Sequence, residues 1–510
     1  MYHPALGGIE YVELKNVSEA DVSLYDAALA SGWRFTGGIS WNFVNGNVIP
    51  AGGYALIVAS TPGVFRTTYN VPGDVPVFGP FTGQLDNSGE KVELSKPGGP
   101  DSNTGLATWI MVDRVTYNNV APWPVTANGG GPSLSRYLLS GYSNDLANWI
   151  ASNPAPTPGA PNAIIMSGQG GVDNYYLRLG PNNTAQLYRN DPTFSGPPEF
   201  SFPRDGLDQL IIDAGGGNDS LTIDLPGGSG LPASGIIFNG DIGNDTVNIL
   251  SPTSAANPLR LNVGTGINTL NFQNGQSISA LNISAGGQLN LASGGKALKV
   301  NNVSIEAGAT LNLADNDLIV EADAATWQSV FNSITNLVAS GRNGGASRWA
   351  GQGINSAIAA ANALRNTGLA TIVNRMADGT PLMASFDGQV VDENSILIKY
   401  TYNGDGNLDG QLNADDYALI DAGFASHAAG YDNGDFNYSG GSPNSDDYFV
   451  IDQAFSNQGS ALAPAFDPQP ALSTAAAKTT SRKRTGHARH HRHHRRLPRL
   501  FPNQRFYRQV

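Results

Sequence analysis

The chain has 510 residues, 14% of them charged, with 62 Gly, 31 Pro and no cysteine. The missing cysteine excludes thiol nucleophiles, zinc-thiolate sites and a disulfide framework, and no apolar run approaches the ~18–20 residues needed to span a bilayer. Eleven of the 29 Lys and Arg lie from Lys478 onward, leaving 18 basic residues against 42 acidic ones in 1–467; a body so acidic repels nucleic-acid phosphates and suits cation binding and an extracellular setting.

Residues 1–163 read as short strands broken by Gly and Pro. "EYVEL", "YALIVA", "EKVEL" and "DRVTY" carry apolar residues at strand spacing, separated by turns such as "PAGG" and "DNSGE". Strands this short with turns this frequent predict a β-sandwich. "EYVELKNVS", "IPAGGYALIVAS", "FTGQLDNSGEKVELSKPGG" and "NDLANWIASNPAPTPGAPN" occur in the order found in the bacterial lamin-tail (LTD) domain, which this segment resembles. The resemblance implies an immunoglobulin-like sandwich serving as an accessory module of surface proteins and secreted enzymes. That family places a further strand ahead of "MYHP", so the resemblance also implies an N-terminal truncation inside the domain, which would account for the lack of a visible signal peptide. Trp33, Trp41, Trp109 and Trp123 are either core residues or a polysaccharide-binding face.

Residues 172–322 change character. "LIIDAGGGNDSLTIDL", "IIFNGDIGNDTVNIL" and "LRLNVGTGINTLNF" repeat strand, Gly-rich turn, strand, with Asp219, Asp245 and Asn268 at one position. Leu281, Ile283, Gly286, Leu289 and Leu291 recur 22 residues later as Val303, Ile305, Gly308, Leu311 and Leu313. A period of 20–26 residues with alternating apolar strands predicts a β-solenoid of about five coils. The turns from Ala214 and Gly240 also resemble the calcium-binding nonapeptide repeat; the alternative is that Asp or Asn forms a side-chain turn with its own backbone.

Over 323–395 helical spacing appears: Trp327, Phe331, Ile334 and Val338 share a face, Gly341 stands where the helix should stop, and "INSAIAAANALR" reads as a second helix. These predict a helical cap on the solenoid. "NLADNDLIVEA" and "ASGRNGGASRWAGQGINSAIAA" resemble a module of large exported proteins from planctomycete-type bacteria.

Residues 396–460 hold a duplicated loop and helix. Counting from Asp405, the twelve-residue calcium-loop spacing places Asp405, Asn407, Asp409, Gln411 (through its carbonyl), Asn413 and Asp416 at positions 1, 3, 5, 7, 9 and 12, with Gly410 at 6. The second copy places Asp435, Asn437, Ser439 and Gly441 at 1, 3, 5 and 7, then Pro443 at 9. One extra residue leaves either Asp446 or Asp447 to close the loop. Tyr417, Ile420 and Phe424 recur as Tyr448, Ile451 and Phe455, the expected shared core of two helices. A strand, "NSILIKYTY", replaces the entering helix of an EF-hand. With Asp at position 12, the pair resembles a type I dockerin, which implies Ca2+ and a cohesin-like or other surface protein as partner. Ala414 and Asp415 stand at the recognition positions where cellulosomal dockerins commonly carry Ser and Thr. The remainder, 461–510, is a basic tail holding five of the seven histidines and is expected to be disordered.

Catalysis has little to work with. Only His3 and His427 lie outside the tail, and Asp213, Asp219, Asp224, Asp241 and Asp245, the carboxylates that might flank a glycosidic bond, all fall in or beside turns. The expectation is a mainly β, multidomain, non-catalytic exported protein acting in adhesion or extracellular assembly. The alternative is a fragment of a larger secreted polysaccharide-processing enzyme whose catalytic part lies upstream.

Overall fold

In the computed structural model, the described residues are 1–136, 141–152, 155–203, 207–226, 232, 234–251 and 258–462. The basic tail lies outside them, as does Arg204. The four strands expected near the N-terminus form as Tyr11–Lys15, Tyr54–Val58, Lys91–Pro100 and Ala107–Thr116. The first two belong to a three-stranded sheet and the last two to a five-stranded one. Phe35, Phe43, Ile57, Val92 and Leu94 fill the space between. Trp33, Trp41 and Trp123 pack against this core, while Trp109 lies under the Arg34 guanidinium, 3.6 Å from its ring centre. A helix, Pro62–Tyr69, was not anticipated; Pro62 starts it and Phe65 is its buried anchor.

The solenoid is the dominant feature and is longer than five coils. Sheet A contains seven parallel strands: Ala163–Ser167, Gln209–Asp213, Ile236–Asn239, Leu259–Val263, Gln276–Ile283, Ala297–Ile305 and Asp317–Val320. Sheet B contains seven more: Asn174–Leu179, Ser220–Asp224, Thr246–Ile249, Ile267–Phe272, Gln288–Leu291, Thr310–Asn312 and Gly353–Asn355. The five periodic coils are the middle of this stack. The first is hidden because two antiparallel strands, Thr184–Arg189 and Phe200–Pro203, interrupt its return. The last is hidden because helix Trp327–Arg342 separates its two strands. The repeated positions meet in register: Leu281 lies beside Val303, Ile283 beside Ile305, and Leu289 beside Leu311. Inward side chains such as Leu210, Ile212, Leu221, Ile236, Leu261 and Leu270 form one continuous core, the burial that makes a stack of incomplete units stable.

Polar ladders run along the same stack. Asn282 donates to Asn262 at 2.7 Å and Asn271 to Asn248 at 2.8 Å. At the turns, Asp219 Oδ1 accepts from Asp173 N (2.7 Å), Asp245 Oδ1 from Asp219 N (2.9 Å), and Asn268 Oδ1 from Asp245 N (2.8 Å). The turn carboxylates therefore bond the neighbouring coil and not their own turn. Asp213 accepts from Asn239 and Asp224 from Ser251, further steps along the stack.

At the far end, helix Trp327–Arg342 buries Ile334 and Val338 in the solenoid core. Gly341 sits inside the helix, which continues to Arg342. It is a contact residue, because a Cβ there would lie 1.8 Å from the Ile354 carbonyl oxygen. The expected second helix shortens to Ala357–Ala361, since "GIN" before it becomes the last strand of sheet B. The cap is completed by strands: Ile396–Tyr402 pairs antiparallel with both Asp317–Val320 and Thr367–Val373. Lys399, on the middle strand, is buried and reaches Asp317 at 2.9 Å.

Candidate metal centre

Strand Ile396–Tyr402 delivers the chain directly into loop one, residues 405–416, and helix Ala414–Ser426 follows it. Asp405 is fully buried. Its Oδ1 accepts from Asp409 N (3.0 Å) and its Oδ2 from Gly410 N (2.9 Å), and the Thr401 hydroxyl also donates to it. Asn407 Oδ1 shares the Asp409 N–H at 3.0 Å, and Asp409 Oδ1 takes Gln411 N at 2.9 Å. Gly410 has φ +80°, the left-handed turn its position requires. Asn413 caps the helix by accepting from Asp415 N (2.8 Å), and Asp416 returns a bond from Asn413 N (3.0 Å), a complete capping box. The other oxygen of Asp416 accepts Gly406 N (3.0 Å), drawing the loop's two ends together.

Loop two repeats this scheme. Asp435 accepts from Ser439 N (2.9 Å) and Gly440 N (3.0 Å), Asn437 accepts from Ser439 N (2.7 Å), and Gly440 again has φ +80°. Asp447 Oδ1 accepts Asn437 N and its Oδ2 accepts Asn444 N, both at 3.0 Å, as Asp416 does with Gly406 and Asn413. Asp447 is thus the counterpart of Asp416. Asp446 is exposed and, like Asp415, gives its N–H to the capping asparagine (2.9 Å). The extra residue is absorbed before the helix, so Asn444, which strict counting from Asp435 passes over, takes the place of Asn413. The repeated words "NADDY" and "NSDDY" were the available signal.

The two helices, Ala414–Ser426 and Ser445–Ser456, exchange equivalent bonds: Tyr417 OH donates to Asp452 and Tyr448 OH to Asp421, both at 2.6 Å. Ile420 and Ile451 are buried as expected. Phe424 and Phe455 are 54% and 46% exposed and stand outside the shared core. That core includes Ala370, Ile372 and Leu397 from the cap strands.

The electrostatics of loop one ask for a cation. Burial pushes the Asp416 carboxyl up to about 7, with the like charges of Asp405 and Asp409 adding to the rise and N–H donation from Asn413 and Gly406 opposing it. Burial likewise pushes Asp405 up to about 6, against donation from Thr401 and Gly410. Among the described residues no three His, Cys, Asp or Glu side chains make a metal-holding group by themselves. The donor set therefore has to include amide and main-chain oxygens, neutral hard donors that calcium accepts. Loop one offers that set through Asp405, Asn407, Asp409, the Gln411 carbonyl, Asn413 and Asp416. Loop two offers Asp435, Asn437, Ser439, the Gly441 carbonyl and Asp447.

Comparison with known proteins adds no relative: no family model, curated protein or solved structure matches this chain.

Proposed function

We propose that this protein is an exported, non-catalytic scaffold of adhesion or extracellular assembly, in which a calcium-ordered, dockerin-like end is carried on a β-solenoid. The lamin-tail-like, immunoglobulin-like N-terminal region is its second display module. One observation carries the reading: two loops fold around buried carboxylates with the same hydrogen bonds, and in loop one every position of the calcium spacing holds an oxygen donor. The acidic body agrees with it, because extracellular calcium modules work at weak affinities, about 10⁻⁴–10⁻³ M. Attachment through the helix pair implies a cohesin-like or other surface protein as partner, and the outward Asn ladders offer hydrogen bonds to a polysaccharide.

The test is thermal unfolding of the full chain with calcium and with chelator. A ligand that binds only the folded state at about 100 times its Kd adds about 2.7 kcal/mol, a rise of a few degrees for a protein of this size. Asp405→Ala with Asp416→Ala abolishes the rise. An identical midpoint with calcium and chelator in the unmutated chain rules the calcium-ordered module out.

A further inference from the structure

The two loops share a hydrogen-bond scheme but not an electrostatic setting. Loop one holds three carboxylates, and the charges acting on Asp416 are those of Asp405 and Asp409, all of one sign. Loop two holds two, because Ser439 stands where loop one has Asp409. A cation also acts on it: the guanidinium of Arg342 works on both Asp447 and Asp435.

Arg342 is the last residue of helix Trp327–Arg342, the end at which a positive charge is favoured. It is partly buried, forms no ion pair within 4 Å among the described residues, and its Nε is buried without an acceptor. Drawing a guanidinium out of water is costly unless opposite charge compensates it. The carboxylates placed to do so are those of loop two.

Packing fixes the arrangement. The Arg342 carbonyl accepts Trp349 N at 2.6 Å, and the buried Trp349 ring meets Tyr438 edge-on at 6.4 Å. Tyr438 lies in loop two between Asn437 and Ser439, and its hydroxyl donates to the Leu369 carbonyl at 2.8 Å, on a cap strand. The equivalent residue of loop one is Leu408, buried and apolar, which makes no such tie. Loop two is thus bolted to the end of the solenoid on the side from which Arg342 approaches, and its position nine is taken by Pro443, which has no donor to offer.

We infer that loop two is a calcium-independent strut, in which Arg342 supplies the positive charge that calcium supplies in loop one, so that the folded chain takes a single calcium ion. This rests on the calcium reading of loop one. Calorimetric titration of the full, calcium-stripped chain with calcium tests both. One equivalent is expected for the unmutated chain and none for Asp405→Asn with Asp416→Asn. Asp447→Asn keeps one equivalent at unchanged affinity. Arg342→Gln gains a second, weaker equivalent, and Arg342→Lys, which keeps the charge, remains at one. Two equivalents in the unmutated chain, one of them lost in Asp447→Asn, overturn the strut and leave loop one intact. A folded Arg342→Gln chain that still takes one equivalent also overturns it. No binding at all overturns the reading of loop one instead. Should Arg342→Gln fail to fold, the Asp447→Asn titration decides the matter.

Discussion

Asp245 illustrates how a single side chain here is a compromise between bonding and burial. Its Oδ1 stitches two coils together, while its Oδ2 is buried with no partner. Burial pushes its carboxyl up to about 6, with Asp219 and Asp241 adding like charge. The folded state therefore holds the proton more tightly than the unfolded chain, whose Asp titrates near 3.8. The benefit is complete below about 3.8 and is lost as pH rises through about 6. The next coil shows the neutral solution. Asn268 makes the same ladder bond and turns its Nδ2 toward the Gly266 and Gln288 carbonyls, at 3.4 and 3.3 Å. Asp245→Asn is accordingly expected to stabilise the protein by about 1–2 kcal/mol at pH 8, a fraction of what full relief of the shift would give, and to have little effect at pH 4. Urea unfolding at the two pH values measures this; an equal effect at both would show that the carboxylate is not strained.

At the level of elements, what was legible depended on whether a local pattern had a local cause. The middle coils were readable because inward side chains alternate on every strand and the turns recur, so one stretch such as "LNISAGGQLNLA" predicts the next. Both calcium-type loops were readable because their donors lie within a dozen residues. The end coils were not, since their strand partners are separated by inserted elements. Asp317 N, for instance, bonds the Lys296 carbonyl next door, while the coil's second strand, Gly353–Asn355, comes only after a helix. Arg342 and Tyr438 were invisible for the same reason, because their roles exist only across the cap. Gly341 shows the error such distance produces. Near the end of an apolar helical run it reads as a stop, yet it lies within the helix and admits the Ile354 carbonyl. Ile354 belongs to a central run of sheet B and cannot retreat, so Gly341→Ala should cost about 3 kcal/mol, the upper part of the overpacking range. It should do so even though Ala is the better helix former by about 1 kcal/mol. Chemical denaturation of the variant checks the sign: a stabilised protein would mean that the contact yields.

For the molecule as a whole, the decisive feature is that the metal-type loops have no foundation of their own. The strand that enters loop one is hydrogen-bonded on both sides within sheet A. The core beneath the two short helices is built partly from Ala297, Ile319, Ile372 and Leu397 of the solenoid and its cap. Lys399 of that strand is tied to Asp317, and Asn366 of the cap donates to the Asn457 carbonyl beyond the second helix at 2.6 Å. A paired strand and a buried core are lost together, since exposing half of either strands backbone and apolar groups that the other half satisfied. The helix pair and the adjoining solenoid coils should therefore unfold in one transition, and calcium bound at loop one should raise the midpoint of the strand signal as much as that of the helix signal. Hydrogen exchange followed by mass spectrometry is the sharper measurement. On adding calcium, protection should rise in 367–373 and 396–402, and not in 405–426 alone. Protection confined to the loop and its helix would mean that the module is an appendage, and that the solenoid neither feels the ion nor braces the site that holds it.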